Sequence, residues 1–182
     1  MINVETRLAS NDQTQVPQAI LGCIETLNQG YEFLETLTQE DYVFIAQPHV
    51  TSSIGEHFRH WLDLFHAIKL NSVQIDYNIR RRGHLVERSL DVAQQEITEL
   101  LEWLSTLPFD QLNQTVRVKT EVMLSQTHVE QVFSSFVREI TFAALHATHH
   151  FAMARVVASL RGVESGSDFG VAPTTATYLR AQ

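Results

Sequence analysis

Cysteine is almost missing from this sequence of 182 residues, since Cys23 is the only one. A single cysteine cannot form an intrachain disulfide, which fits a reducing compartment. Cys23 lies within an apolar helical pattern, and this favours a small buried side chain over a reactive thiol. The apolar content of 44% indicates a packed core instead.

Long apolar runs and basic charge are also scarce. No segment approaches the roughly 18 consecutive apolar residues of a membrane span, and the polar N-terminus lacks the features of a signal peptide. We therefore expect a cytoplasmic protein with no membrane partner. The 13 basic and 21 acidic residues give a formal net charge of −8. We expect no nucleic-acid partner, because phosphate contacts require lysine and arginine.

Apolar residues recur at three- and four-residue steps in four segments, which predicts four helices. The predicted ranges are 16–37, 53–70, 86–106 and 127–161. Ser53 and Glu56 have the spacing of a capping box at the start of the second helix. Gly162 suits the end of the fourth helix. The sequence therefore predicts an all-α fold, a four-helix bundle in a single domain.

The remaining segments define the expected domain organisation. Residues 1–15 are polar and are predicted to be a flexible N-terminus, followed by a metal-binding bundle over 16–162. A long connection at 71–85 joins helices 2 and 3. Residues 116–120 alternate in polarity, which predicts a small hairpin or an extended crossover. The tail at 163–182 is predicted to be irregular and to pack on the bundle or on a partner.

Histidine is abundant, with nine residues. His146 and His150 are four residues apart, so their side chains lie on one face of the fourth predicted helix. Two neutral imidazoles in this arrangement can bind one divalent metal ion. His57 lies among apolar residues of the second predicted helix. Three histidines from two helices would form an open metal site inside a bundle.

Two further histidines compete with this assignment. His60 follows His57 by three residues, and His149 adjoins His150. Adjacent residues are about 100° apart around a helix, so His149 and His150 are not expected to bind the same ion. We favour His57, His146 and His150 as metal ligands, with His60 and His149 as supporting groups or alternative ligands. The competing interpretation is a set of core histidines held by hydrogen bonds.

Other motifs restrict the chemistry. A zincin peptidase helix reads His-Glu-x-x-His, whereas Ala147 follows His146 here, so the general base of that mechanism is missing. The Arg80-Arg81-Arg82 run is typical of a solvated loop, and the alternative is binding of an anionic substrate. Asp63 and Asp76 are candidates for orienting a histidine ligand.

Two short motifs resemble the DinB-like (DinB/YfiT-like) superfamily. They are Ser53-Ile54-Gly55-Glu56-His57-Phe58-Arg59-His60 and His146-Ala147-Thr148-His149-His150. The helix order and the long connection also agree, so the resemblance covers most of 16–161. It implies a four-helix bundle that forms a homodimer. It also implies a divalent metal ion, zinc or nickel ahead of iron, with His57, His146 and His150 as its ligands.

Members of this superfamily include bacillithiol S-transferases and a mycothiol-dependent maleylpyruvate isomerase. The iron-binding bundle of ergothioneine-type sulfoxide synthases also belongs to it, although this chain is too short to hold their second catalytic domain. The resemblance implies a metal that activates a low-molecular-weight thiol toward a small-molecule substrate. We therefore expect a metal-dependent thiol S-transferase, or a related transferase or hydrolase, with unassigned catalytic residues. The alternative is a noncatalytic dimeric bundle that binds metal or ligand and has a stress-related role.

Overall fold

The computed structural model of the protein describes residues 16–182, so the predicted flexible segment 1–15 lies outside the described residues. The described chain forms six α-helices and three β-strands. In chain order these are α1 (Gln18–Glu35), α2 (Gln39–Val43), α3 (Ile54–Leu70), β1 (Gln74–Asp76), α4 (Leu90–Thr106), β2 (Thr115–Glu121), β3 (Val129–Ser135), α5 (Phe136–Leu160) and α6 (Pro173–Arg180). Short 3-10 helices at Leu85–Glu87 and Phe109–Asn113 precede α4 and β2. None of the described helices has the length and apolar character that crossing a bilayer requires.

The prediction of an all-α, DinB-like four-helix bundle is therefore wrong. The three strands form a mixed sheet in the order β1-β2-β3, with β1 parallel and β3 antiparallel to β2. The alternating segment at 116–120 lies within β2 and is the centre of this sheet. The segment pairs with β3 as in a hairpin, but it also pairs in parallel with β1, so neither a small hairpin nor an extended crossover describes it in full. Partners on both sides satisfy backbone groups of β2 that a lone hairpin would leave to water.

The fourth predicted helix, 127–161, begins too early because residues 129–135 form strand β3. Val132 pairs with Val118 of β2, and such β-branched pairs pack well across strands. Helix α5 begins at Phe136, where the Ser135 hydroxyl accepts a hydrogen bond from the Arg138 N–H. Apolar spacing over a short segment does not separate a strand from a helix. The antiparallel pairing of this segment with β2 decided between the two.

The other predicted helices match α1, α3 and α4 within a few residues. The capping box of α3 is confirmed, since the Ser53 hydroxyl accepts from the Glu56 N–H and the Glu56 carboxylate accepts from the Ser53 N–H. Gly55 lies in the first turn of α3, directly against the backbone carbonyl of Glu87. Any Cβ at position 55 would overlap that carbonyl, so glycine allows α3 to pack against the 3-10 helix before α4.

The C-terminal tail is not irregular throughout, because residues 173–180 form helix α6. Before this helix, Phe169 inserts between α1 and α5 and is 4% exposed. Its ring stacks on Phe33 at a centroid distance of 4.0 Å and on Phe151 at 4.9 Å. Gly170 has a φ of +75° and lies against the backbone of Ala152, so the turn after Phe169 requires glycine.

An aromatic cluster between α3 and α5 sets the rotation of both helices. The Trp61 ring meets Phe58 and Phe151 edge to face, at centroid distances of 5.4 and 5.5 Å. All three side chains are fully buried. Large aromatic side chains contribute much of the energy of a core, so neither helix turns easily about its axis. The histidines next to these aromatic residues therefore face each other across the helix pair.

Candidate metal centre

Helices α3 and α5 bring three histidines together. His60 of α3 and His146 and His150 of α5 each offer a ring nitrogen, and these three nitrogens lie within 4.8 Å of one another. The ring centroids of His60 are 5.3 Å from His146 and 4.5 Å from His150. All three side chains are half-buried. Two helices locked by the aromatic cluster thus hold a compact group of three neutral nitrogen donors.

The spacing of these nitrogens fits a metal site. The Nε2 atoms of His146 and His150 are 3.1 Å apart. Two nitrogens bound tetrahedrally at zinc-like distances are about 3.3 Å apart, so small rotations of the rings would accommodate an ion. The same 3.1 Å also suits a hydrogen bond between one protonated and one unprotonated ring nitrogen. The distance between His146 and His150 is therefore compatible both with a metal site and with a pair of core histidines held by a hydrogen bond.

His57 contacts the opposite side of His150. Its Nδ1 lies 3.1 Å from Nδ1 of His150, whereas His150 presents Nε2 to His146. One imidazole ring cannot direct both nitrogens at one ion, so His57 does not join the group formed by His60, His146 and Nε2 of His150. The assignment of His57 as a ligand stays a prediction, and the geometry favours the alternative, His60.

The contact with His57 controls the tautomer of His150. If Nε2 of His150 binds a cation, its proton lies on Nδ1 and is donated to Nδ1 of His57. Without a cation the opposite direction is also allowed, in which His57 donates to His150 and His150 donates to His146. Nε2 of His57 is buried and has no hydrogen-bonding partner among residues 16–182 in either case. His57 is therefore placed to orient a ligand.

His149 lies on the outer side of the cluster. Its side chain is exposed, and its ring centroid is 6.3 Å from His146 and 5.5 Å from His150. It does not belong to the group of three nitrogens within 4.8 Å. Its placement agrees with the argument that adjacent helical residues point about 100° apart.

Burial keeps the cluster uncharged. Loss of hydration lowers the pKa of His150 to about 2, with further lowering by His60 and His146. Burial likewise lowers the pKa of His60 to about 4, and the positive charge of Arg80 adds to the effect. The pKa values of His57 and His146 are also lowered, mainly by burial. Neutral imidazoles are the form that binds metal, so protons do not compete for the site near neutral pH.

A buried network of charges supports the loop beside the cluster, and sequence reasoning missed it. Asp63 accepts from Nη1 of Arg59 at 2.8 Å and from Nε of Arg81 at 2.6 Å. Glu96 accepts two bonds from Arg81, each 2.9 Å. Glu87 accepts from Nε of Arg59 at 2.8 Å. The four-residue spacing of Arg59 and Asp63 was the available signal for the first pair.

This network changes the roles expected for the acidic and basic residues of the region. Asp63 bonds to two arginines and Asp76 accepts from the Asn78 N–H, and within residues 16–182 neither carboxylate forms a hydrogen bond with a histidine of the cluster. Arg81 is not a solvated loop residue, because its side chain is bound on both sides by carboxylates. Arg82 is exposed. Nη1 of Arg80 is buried, with no hydrogen-bonding partner among the described residues.

Comparisons with known proteins show no family for this chain. No family model and no solved structure matches it. The chain is 26% identical over 108 residues to FK506-binding protein 5 of Rhizopus delemar. That match covers 59% of this chain and 28% of the relative. The chain therefore spans under a third of the curated relative that it matches, and the resemblance to the DinB-like superfamily stays a prediction.

Proposed function

We propose that this protein is a divalent-metal-dependent enzyme that transfers a low-molecular-weight thiol to a small electrophilic substrate. The observation that carries the proposal is the group of three ring nitrogens, from His60, His146 and His150, within 4.8 Å. Structural zinc sites in proteins are usually closed by four ligands, whereas catalytic sites have three protein ligands and an open position. A group of three ligands therefore favours a catalytic metal ion over a purely structural one.

The residues present fit a late first-row ion with a preference for nitrogen. Zinc, nickel and iron all accept imidazole ligands, so the donor set alone does not choose among them. A divalent ion there would supply positive charge that lowers the pKa of a thiol. The side chains of His60, His146 and His150 would hold the ion, and His57 would fix the ring of His150. The fully buried Trp61 and Phe151 rings close the interior side of the pair of helices.

In the proposed reaction the thiol loses its proton to solvent and its sulfur forms a bond to an electrophilic carbon. The leaving group, such as chloride, departs with the electron pair of the broken bond. No external oxidant or reductant is needed. A cytoplasmic location and a homodimer belong to the same proposal.

The test begins with protein purified without a histidine tag and reconstituted separately with zinc, nickel and iron. Elemental analysis should give close to one ion per chain for at least one metal. Conjugation of 1-chloro-2,4-dinitrobenzene is then followed with cysteine, glutathione and bacillithiol as thiols. His150→Gln should lose both metal and activity.

His128→Gln is the matched control, because it also removes a histidine but changes an exposed side chain between β2 and β3 whose ring nitrogen pairs with Glu130, outside the cluster. It should retain metal and activity. Metal binding without conjugation of any thiol would favour the noncatalytic alternative. A wild-type protein that takes up none of the three metals would leave the histidines as hydrogen-bonded core residues.

A further inference from the structure

Arg80 lies beside the histidine cluster with an unused hydrogen-bond donor. Nη1 of its guanidinium is buried, and no described residue bonds to it. The next residue, Arg81, donates its backbone N–H to Asp63 at 3.1 Å, and Asp63 follows His60 by three residues on α3, so the chain at Arg80 is anchored about one helical turn from His60. The positive charge of Arg80 also lowers the pKa of His60 and His146. A buried charged donor without a partner is costly, so the position calls for an acceptor that the described chain does not supply.

The neighbouring carboxylates are already occupied. Asp63 attracts Arg80 through space, but its oxygens accept bonds from Arg59, from Nε of Arg81 and from the Arg81 N–H. Glu96 is held by Arg81 and by Nε2 of His66 at 2.9 Å. The network thus occupies the side chain of Arg81 with carboxylates, and Nη1 of Arg80, the preceding residue, is left without a hydrogen-bonding partner among the described residues.

We propose that Arg80 binds a carboxylate of the small molecule that occupies the histidine cluster. The inference rests on the proposed function and specifies its substrate class: a thiol that carries a carboxylate. Three neutral imidazoles contribute no negative charge, so a divalent ion and the guanidinium together favour a ligand with two negative charges, one on sulfur and one on the carboxylate. Arg59 and Arg81 already bond to carboxylates, which leaves the guanidinium of Arg80 as the donor for the ligand. This suits a carboxylate better than a phosphate, which generally gathers several donors.

A pair of thiols of nearly equal size provides the test. 3-Mercaptopropionate carries a carboxylate, and 3-mercaptopropan-1-ol carries a hydroxyl at the same place. Their affinities are measured by isothermal titration calorimetry at pH 7.5 on metal-loaded and on metal-free protein. A hydrogen bond to a charged group contributes enough to predict about 10-fold or tighter binding of the carboxylate by the wild type.

Arg80→Gln should remove this preference and leave the affinity for the alcohol and the metal content unchanged. Arg80→Lys should keep part of the preference, because the charge remains and the planar donor geometry is lost. Arg82→Gln is the matched control: it removes an exposed arginine two residues away and should behave as the wild type. Circular dichroism and thermal unfolding of each variant show whether it is folded.

Equal affinities for the two thiols in the wild type would overturn the inference, as would a preference that survives in folded Arg80→Gln. Failure of the proposed function is recognised separately, by elemental analysis that finds no metal. If no metal binds, the titrations of the two thiols on metal-free protein test whether Arg80 binds a carboxylate. A carboxylate preference that depends on Arg80 would support an anion site without a metal, and no preference would refute it.

Discussion

The sharpest prediction concerns which histidine of α3 is a metal ligand. His60→Gln should weaken metal binding more than His57→Gln does. The reason is geometric: His60 belongs to the group of three nitrogens within 4.8 Å, whereas His57 approaches the other ring nitrogen of His150, Nδ1 to Nδ1, at 3.1 Å. Glutamine keeps a polar side chain of similar length at each position and limits the disturbance of packing.

The magnitudes follow from the two roles. A residue that orients a ligand typically contributes about 10–100-fold to metal affinity. His57→Gln should fall in that range, because the fixed ring nitrogen that contacts His150 is replaced by a more mobile amide that can donate as well as accept. His60→Gln removes one of three ligands, so the loss should exceed about 100-fold, or more than about 2.7 kcal/mol. His146→Gln and His150→Gln should be as severe as His60→Gln.

The assay is competition for Zn²⁺ against a chromophoric chelator at pH 7.5, with His128→Gln as the control. Thermal unfolding without metal is measured in parallel, so that a loss of fold is not counted as a loss of affinity. A larger loss in His57→Gln than in His60→Gln would refute the geometric reasoning and restore His57 as the third ligand. Equal losses would mean that α3 presents both side chains to the ion.

Three further predictions follow from burial and charge. Without metal, the free energy of unfolding should fall by about 1–2 kcal/mol for each of His60 and His150 between pH 7 and pH 5. Folding lowers the pKa of both rings, so the unfolded chain takes up protons first as the pH falls below about 6.5. Urea unfolding that shows no such loss would contradict the burial argument. Asp63→Asn should destabilise the fold by about 3 kcal/mol, because Arg59 and Arg81 each lose a charged partner at a site where the carboxylate is 1% exposed. A change under about 1 kcal/mol in chemical denaturation would show that Glu87 and Glu96 alone are enough to balance the two arginines. Cys23 should react with a disulfide reagent only as fast as the protein unfolds, because its thiol is buried and burial raises its pKa to about 12. Rapid labelling of the folded protein would contradict the packing of Cys23 in α1.

Local chemistry determined several elements of this protein. The apolar spacing and capping residues of α1, α3 and α4 were readable because a helix satisfies its own backbone and shows its buried face in a period of 3.6 residues. The four-residue spacing of His146 and His150 likewise placed both on one face of α5. These features depend on neighbours along the chain, which the sequence displays directly.

Tertiary structure decided the rest, because it depends on pairings and packing that the apolar pattern of one segment does not display. Val129 to Ser135 carried apolar residues compatible with a helix, and became a strand because β2 supplies a hydrogen-bonding ladder. His57 and His60 both lie on α3 next to aromatic core residues, so sequence spacing alone did not separate them. Their roles differ because the packing of Trp61 against Phe151 sets the angle at which α3 faces α5. The rotation of one helix against another is a property of the whole core, and only the folded chain defines it.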